Sequence, residues 1–366
     1  MSDEQNSTML PMASPAPEKR QFAEPLIVTD PVIGTIYVSL TSVALLMGVV
    51  GNCVVLSVFC CGRMPGFSKV GSEFLINLAI ADLCVSGVAD PLCIIGAIKG
   101  EEFFQDKWWL CEGIASMCLT ACVCAFLSLS GVTLNRYIYT CHNHIYDRIY
   151  NRLSSILMCI FFWVCAFLLE MPNFIGWGDH GFDEKNHSCI WDRTASFSYT
   201  FFVSVALIGG PLVFMAYCYI RIFWKLYRSQ TSLAKFSANP DADRTFFKTV
   251  SMARTLVVIF FAFVICWTPY AFVIVLDADN RFPYQIHLWV TLLAHLHSSV
   301  NCTVYLVTNR EFRRRCKQLL NLAQPSETFT PSTSNHGYLS SKSDKDVPVG
   351  KEINSLTNIG KYTVKA

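Results

Sequence analysis

The chain has 366 residues, of which 52% are hydrophobic and 15% charged, with a formal net charge of +2. Soluble domains carry about 25% charged residues, so part of this surface faces something other than water. So small a net charge disfavours a basic nucleic-acid-binding face. The 17 cysteines, spread through a long chain, disfavour a small disulfide-stapled module.

Residues 1–32 form a polar, Pro-rich tail (Pro11, Pro15, Pro17, Pro25, Pro31) without the charged-then-apolar layout of a cleavable leader. Crossing the hydrocarbon core takes about 20 mostly apolar residues as a helix. Seven windows qualify: 33–60, 74–98, 114–139, 153–175, 197–224, 256–276 and 286–307. Basic residues follow the odd-numbered windows: Arg63 and Lys69, then Arg148 and Arg152, then the run from Arg221 to Arg254, then Arg310 to Lys317. The opposite loops are acidic, with Glu101, Glu102, Asp106, Asp179, Asp183, Glu184, Asp192, Asp277 and Asp279. By the positive-inside bias the N-terminus lies outside and the C-terminus inside.

Two Asn-x-Ser/Thr sites, Asn6 and Asn186, fall on the outer side as glycosylation acceptors, whereas Asn301-Cys302-Thr303 lies within the seventh window. Residues 33–308 thus make a membrane domain. Residues 309–322 alternate Phe312, Leu319 and Leu320 with arginines, an amphipathic helix lying on the membrane lipids, with Cys316 a candidate for palmitoylation. Residues 323–366 are polar and Ser/Thr-rich, a disordered tail.

Polar groups inside lipid are costly and mark function. In chain order they are Gly51-Asn52, Asn77 to Asp82, Asn135-Arg136-Tyr137, Trp163, Pro211 with Tyr219, Cys266-Trp267-Thr268-Pro269-Tyr270, and Asn301 to Tyr305. One such set per span, in this order, resembles the rhodopsin-like family of G protein-coupled receptors. The resemblance covers residues from about 33 to 320. It implies an all-α membrane protein, a seven-transmembrane helix bundle with a short eighth helix, in the plasma membrane and without enzymatic activity. Its partners would be an extracellular small-molecule ligand, a heterotrimeric G protein, and receptor kinases and arrestin acting on the tail. No cofactor is implied.

The same resemblance implies residue roles. Cys111 and Cys189 would form an outer disulfide. Asn135, Arg136, Tyr137, Tyr219, Trp267, Pro269, Asn301 and Tyr305 would form the activation switch and G protein contact. Asp82 would hold a sodium ion, with Asn52, Ser298 and Asn301 as polar partners, although Ala125 stands where the family carries a serine. Asn135 replaces the usual acid before the arginine, which removes an ionic restraint on the resting state. Cys302 replaces a proline, which removes a kink from the seventh span.

The third span carries Cys118 where amine receptors carry an aspartate, and the seventh span has no lysine for retinal. The expected cavity residues are Asp90, Cys118, Leu119, Cys122, Val203, Trp267, Tyr270, Ile274, Thr291 and His295, with Asp90 and His295 as polar handles able to pair. Asn135-Arg136-Tyr137, Cys302, Met171-Pro172-Asn173 and Tyr139-Thr140-Cys141-His142 are similar to the melatonin-receptor group, which adds Asn173 as a ligand contact. The stretch from Trp177 to Cys189 is more similar to neighbouring invertebrate orphan receptors of the moody and trapped-in-endoderm type and to the medium-chain fatty acid receptor. Both likenesses imply an apolar or lipid-like ligand and an inhibitory-class G protein.

Three alternatives stand beside this one. A peptide ligand is the alternative within receptors. A transporter or channel would show internal repeats or Gly-rich helix breaks. An intramembrane enzyme would need paired acids or metal spacing, which Asp82, Asp90, Glu170 and His295 do not make.

Overall fold

The computed structural model describes residues 22–61, 71–236 and 240–319. Asn6, Arg63, Lys69 and the tail 323–366 lie outside the described residues. Within lipid a backbone must satisfy its own hydrogen bonds, and each apolar window accordingly forms a helix. Pro31–Cys61, Ser72–Lys99, Trp108–Cys141, Arg152–Glu170, Phe197–Ser229 and Pro240–Leu276 are the first six spans. The seventh comprises Tyr284–His295 and His297–Thr308, which meet at 44°.

Local chemistry sets the helix ends. The Asp30 carboxylate accepts the Ile33 amide (3.1 Å), and Pro31, which has no amide hydrogen to lose, opens the first span. A reciprocal capping box between Asn151 and Ser154 starts the fourth. The third, fifth and sixth spans outrun their windows at the basic end, because helix continues past the point where the side chains become polar.

The bend in the seventh span lies at Leu296, six residues before Cys302, the position where the family pattern has its proline. Polar side chains replace proline as its cause. His297 Nδ1 donates to the Ala294 carbonyl (2.7 Å) and the Ser298 hydroxyl to the His295 carbonyl (2.9 Å). The Ser299 amide takes the Leu296 carbonyl one residue early (3.0 Å). Widened π turns at Val85–Ala89 and Val203–Gly209 also have no counterpart in the sequence reading.

The core lies along the third span, whose apolar window is 67% buried against 22% for the fourth. The fourth span instead turns Leu157, Ile160 and Phe161 outward to lipid. Between-helix contact in lipid relies on close approach of small residues and on polar ties. A Cβ added at Gly51 would sit 2.8 Å from that of Cys302, so spans one and seven meet there backbone to backbone. Asn77 donates to the Ser128 hydroxyl (2.8 Å) and accepts the Trp163 indole N–H (2.9 Å), tying spans two, three and four.

After the seventh span, Asn309 caps a helix over Arg310–Leu319. Phe312 is fully buried, 5.3 Å from the Tyr305 ring. Cys316, one turn on, is 8% exposed and packs in the same core.

At the disulfide end, which the charge bias assigns to the outside, His180–Asp183 pairs antiparallel with Ser188–Trp191. This hairpin passes so close over Gly96 that any side chain there would strike the His187 carbonyl. Asn186, at its tip, is 2% exposed with its side-chain oxygen enclosed.

Candidate functional site: an outer cavity and the groups beneath it

Spans three, five, six and seven and the second strand of the hairpin line a partly open pocket, whose empty space with the solvent at its mouth is about 570 Å³. Its walls include the expected Cys118, Leu119, Cys122, Val203, Tyr270, Thr291 and His295, with Trp267 among them. The widened turn in span five presents Val203, Leu207 and Ile208 to it. Sequence reasoning missed Ile190 and Trp191, which reach the cavity from the outer loop. The signal available for them was adjacency to Cys189, since a disulfide to the top of span three carries its neighbours over the bundle. The Trp191 indole N–H donates to the Tyr270 hydroxyl at 3.1 Å.

Three expected contacts do not line the cavity. Asp90 stands behind His295 and accepts its Nδ1–H at 2.8 Å, so the pairing occurs but only the imidazole faces inward. Asn173 lies in the tight turn closing span four, where its amide donates to Glu170 (3.3 Å) and to the Tyr199 hydroxyl (3.1 Å). Ile274, one turn above Tyr270, is packed into the core at 2% exposure. Glu170 explains itself too: it is fully buried and pairs with His180, fastening the hairpin to span four.

The Cys111–Cys189 disulfide fixes the same hairpin to span three. Around it pack Phe104, 1% exposed, and Phe182, 5.8 Å from Phe104. Trp108 and Trp109, the more conspicuous aromatics in sequence, are 47% and 72% exposed.

A second fastening joins the two outer loops. Asp277, 2% exposed just beyond span six, accepts the backbone amides of Arg281 (2.6 Å) and Phe282 (2.9 Å), His287 Nε2 (2.7 Å) and Lys185 Nζ (3.3 Å). Arg193 lies 3.8 Å away and donates to the Asn280 side chain at 2.5 Å. Burial alone would raise the Asp277 carboxyl. The Phe282 amide, His287, the Arg281 amide and Lys185 outweigh it and hold the group down at about 2. A folded value below the unfolded one, about 3.9, means stability that is complete above that value and is lost as pH falls towards 2. The thermal midpoint of the wild-type protein should therefore decline between pH 4 and pH 2.5. Asp277→Asn should lie about 3 kcal/mol lower at pH 7, because Arg193 and Lys185 keep their charges, and its acid decline should be shallower. A parallel decline in both proteins would refute the assignment.

Below the cavity, Trp267 stacks against Phe126 (5.1 Å) and His297 (5.2 Å), and Phe263 touches both of these (5.4 and 5.1 Å). Beneath lies Asp82, fully buried, which accepts the Asn301 amide at 2.5 Å. Its other oxygen faces His297 Nε2 at 3.6 Å. Asn52 reaches the Gly48 and Ser298 carbonyls instead of Asp82, and the Ser298 hydroxyl is turned to His295. A hard cation needs converging oxygens. Here one carboxylate oxygen is taken by an amide, and the other, which has no hydrogen-bond partner, faces an imidazole, so the side chains around Asp82 turn one free carboxylate oxygen to the place a sodium ion would take. Among the described residues no group of three His, Cys, Asp or Glu is placed to hold a metal.

At the basic end, Arg136 is 8% exposed among Tyr139, Tyr146, Tyr219 and Tyr305. Tyr219 meets the Thr133 hydroxyl (3.0 Å) and donates to the Leu256 carbonyl (3.3 Å), and Thr308 donates to Thr255 (2.9 Å). Asn135 donates to the Tyr146 hydroxyl (3.3 Å), while Tyr137 turns outward to His142 (3.1 Å). Pro269 lies inside span six, above these ties.

Residues 51–305 match the family described as the seven-transmembrane receptor (rhodopsin family). The melatonin receptor type 1B of Homo sapiens is 31% identical over 287 residues, 74% of this chain and 74% of that protein. The melatonin receptor type 1B-B of Danio rerio is 29% identical over 301 residues, 78% of this chain and 82% of that protein. The crystal structure of squid rhodopsin superposes with a TM-score of 0.65 at 19% identity, over 86% of this chain and 91% of that one.

Proposed function

Because the chain belongs to the rhodopsin family of seven-transmembrane receptors, as a melatonin-receptor-like signalling receptor and not an enzyme, we propose that it binds a small, mostly apolar or lipid-like ligand in the outer cavity and activates a heterotrimeric G protein of the inhibitory class. The observation that carries this reading is the apolar pocket itself. Its walls are mostly apolar, their polar groups being His295, oriented by Asp90, the Tyr270 hydroxyl, and the unpartnered Thr291 hydroxyl and Trp267 indole N–H, and the Trp267 ring at its floor packs on the aromatic column leading to Asp82. None of the relatives reported above is a peptide receptor, and a roof of Ile190 and Trp191 suits a compact ligand. The plasma membrane, with the N-terminus outside, is the setting this requires. The tail would serve receptor kinases and arrestin.

A ligand shifts a two-state bundle only by the difference in its contacts between the states. A ligand set against Trp267 makes that difference where the column begins. Nucleotide exchange on a purified inhibitory-class G protein tests the reading, with melatonin, other indoleamines and medium-chain lipids as the first probes. His295→Ala should raise the half-maximal concentration of an active probe roughly tenfold, the worth of one buried hydrogen bond. Probes that leave exchange unaffected across this set, or an active probe indifferent to both His295→Ala and Trp267→Ala, would overturn it.

A further inference from the structure

The structure assigns a second chemistry to the outer cavity. We propose that the Cys118 thiol captures an electrophilic carbonyl ligand, an α,β-unsaturated aldehyde or ketone, by covalent addition. The inference rests on the small-molecule reading above and narrows its ligand class.

Cys118 Sγ lies 3.7 Å from His295 Nε2, and His295 Nδ1 lies 2.8 Å from Asp90 Oδ1. The three residues are 7%, 8% and 1% exposed. A carboxylate oxygen accepts, so Nδ1 carries a hydrogen, and when the ring is neutral the Nε2 lone pair faces the thiol. A nucleophile, a base within reach of it and a group orienting that base is the constellation that activates a cysteine. Packing alone does not call for a carboxylate-oriented imidazole at a thiol.

An independent observation points to the ligand. The Thr291 hydroxyl and the Trp267 indole N–H border the same cavity, are 7% and 6% exposed, and have no partner. Buried donors in an apolar cavity call for an acceptor, and a carbonyl oxygen is one. Val203, Leu207 and Ile208 supply an apolar wall for the remainder of the molecule.

In the step, the sulfur forms a bond to the β-carbon while the alkene π pair shifts toward the carbonyl, giving an enolate. Thr291 or Trp267 donates to the enolate oxygen. The thiol proton passes to His295 Nε2 and from there to the α-carbon, leaving a thioether and a neutral imidazole. Nothing external is oxidised or reduced. Asp90 takes no part in the proton transfer and acts as a positioning residue.

The test uses the purified full chain in lipid nanodiscs with trans-2-nonenal. Intact mass and peptide mapping read the adduct, and its rate is followed against aldehyde concentration. One adduct is expected, mapped to Cys118 and lost in Cys118→Ser, with a saturable rate. His295→Gln should lower the maximal rate roughly a hundredfold, the usual worth of a positioned base. Asp90→Asn should lower the maximal rate while leaving the half-saturating concentration unchanged, a split that a collapsed cavity would not give. An adduct that persists in Cys118→Ser, or a rate unchanged in His295→Gln that still melts cooperatively, overturns the proposal. Nucleotide exchange separates the two readings. A saturated analogue that stimulates exchange as well as nonenal does, with no adduct from either, sinks the covalent step alone. An adduct without exchange sinks the receptor reading alone.

Discussion

Arg136→Ala is expected to reduce ligand-stimulated nucleotide exchange to the unstimulated level while leaving ligand affinity in the outer cavity unchanged. The guanidinium is always charged and offers five donors, yet it is held at 8% exposure beneath a cluster of tyrosines. The bundle is closed below it by the bond from Tyr219 to the Leu256 carbonyl and by Thr308 to Thr255. Both ties cross to span six. In the proposed activation that span moves away, both ties break together, and the arginine would become available to an acceptor on the G protein. Hydrogen bonds to charged groups contribute about 1.5–3 kcal/mol each, so the loss should read as roughly ten- to a hundredfold in coupling. Alanine removes only a side chain at the basic end, and the protein should still reach the cell surface and bind ligand. Exchange retained in Arg136→Ala at wild-type surface levels would end this mechanism.

Removing the disulfide should have the second large effect. Cys111 and Cys189 are separated by 78 residues, and closing a loop of that length stabilises by about 4.5 kcal/mol in the chain-entropy description. That is an upper value here, because the spans between them stay inserted when the outer part loosens. The functional effect is more specific. Cys189 precedes Ile190 and Trp191 on the strand that roofs the cavity, and Trp191 bonds Tyr270 on span six. Cys189→Ala should therefore lower the thermal midpoint and weaken ligand binding at least tenfold. The double variant with Cys111→Ala should match the single one, since only one bond exists to lose. A double variant that loses markedly more than either single one would mean that the thiols do separate work.

The extent to which the sequence foretold the site varies residue by residue. Cys118, Cys122, Trp267, Thr291 and His295 do line the cavity, and their expected place there came from the positions that the family resemblance assigns along each span. Asn173 and Ile274 were misplaced because a span's end and tilt decide how high a residue stands, and no periodic pattern encodes that. His297 went unnoticed because a histidine among Ser298, Ser299 and Asn301 carries no signal of its own. Its place beside Asp82 depends on the bend at Leu296, which side-chain bonds to backbone carbonyls create.

By itself, then, the sequence determined that this chain has seven spans able to cross a membrane, with basic residues gathered at one end of them and acidic residues at the other. Both follow from the cost of placing polar groups in hydrocarbon, which is paid residue by residue along the chain. Motif order determined the receptor resemblance. Only the tertiary structure decided that Asp90 orients His295 instead of meeting a ligand, that Glu170 and Asp277 fasten loops, and that Cys118, His295 and Asp90 form one hydrogen-bonded chain. Those are pairings between residues up to 205 positions apart. Which acid meets which base inside a bundle is set by packing among helices, a three-dimensional fit that linear composition does not carry.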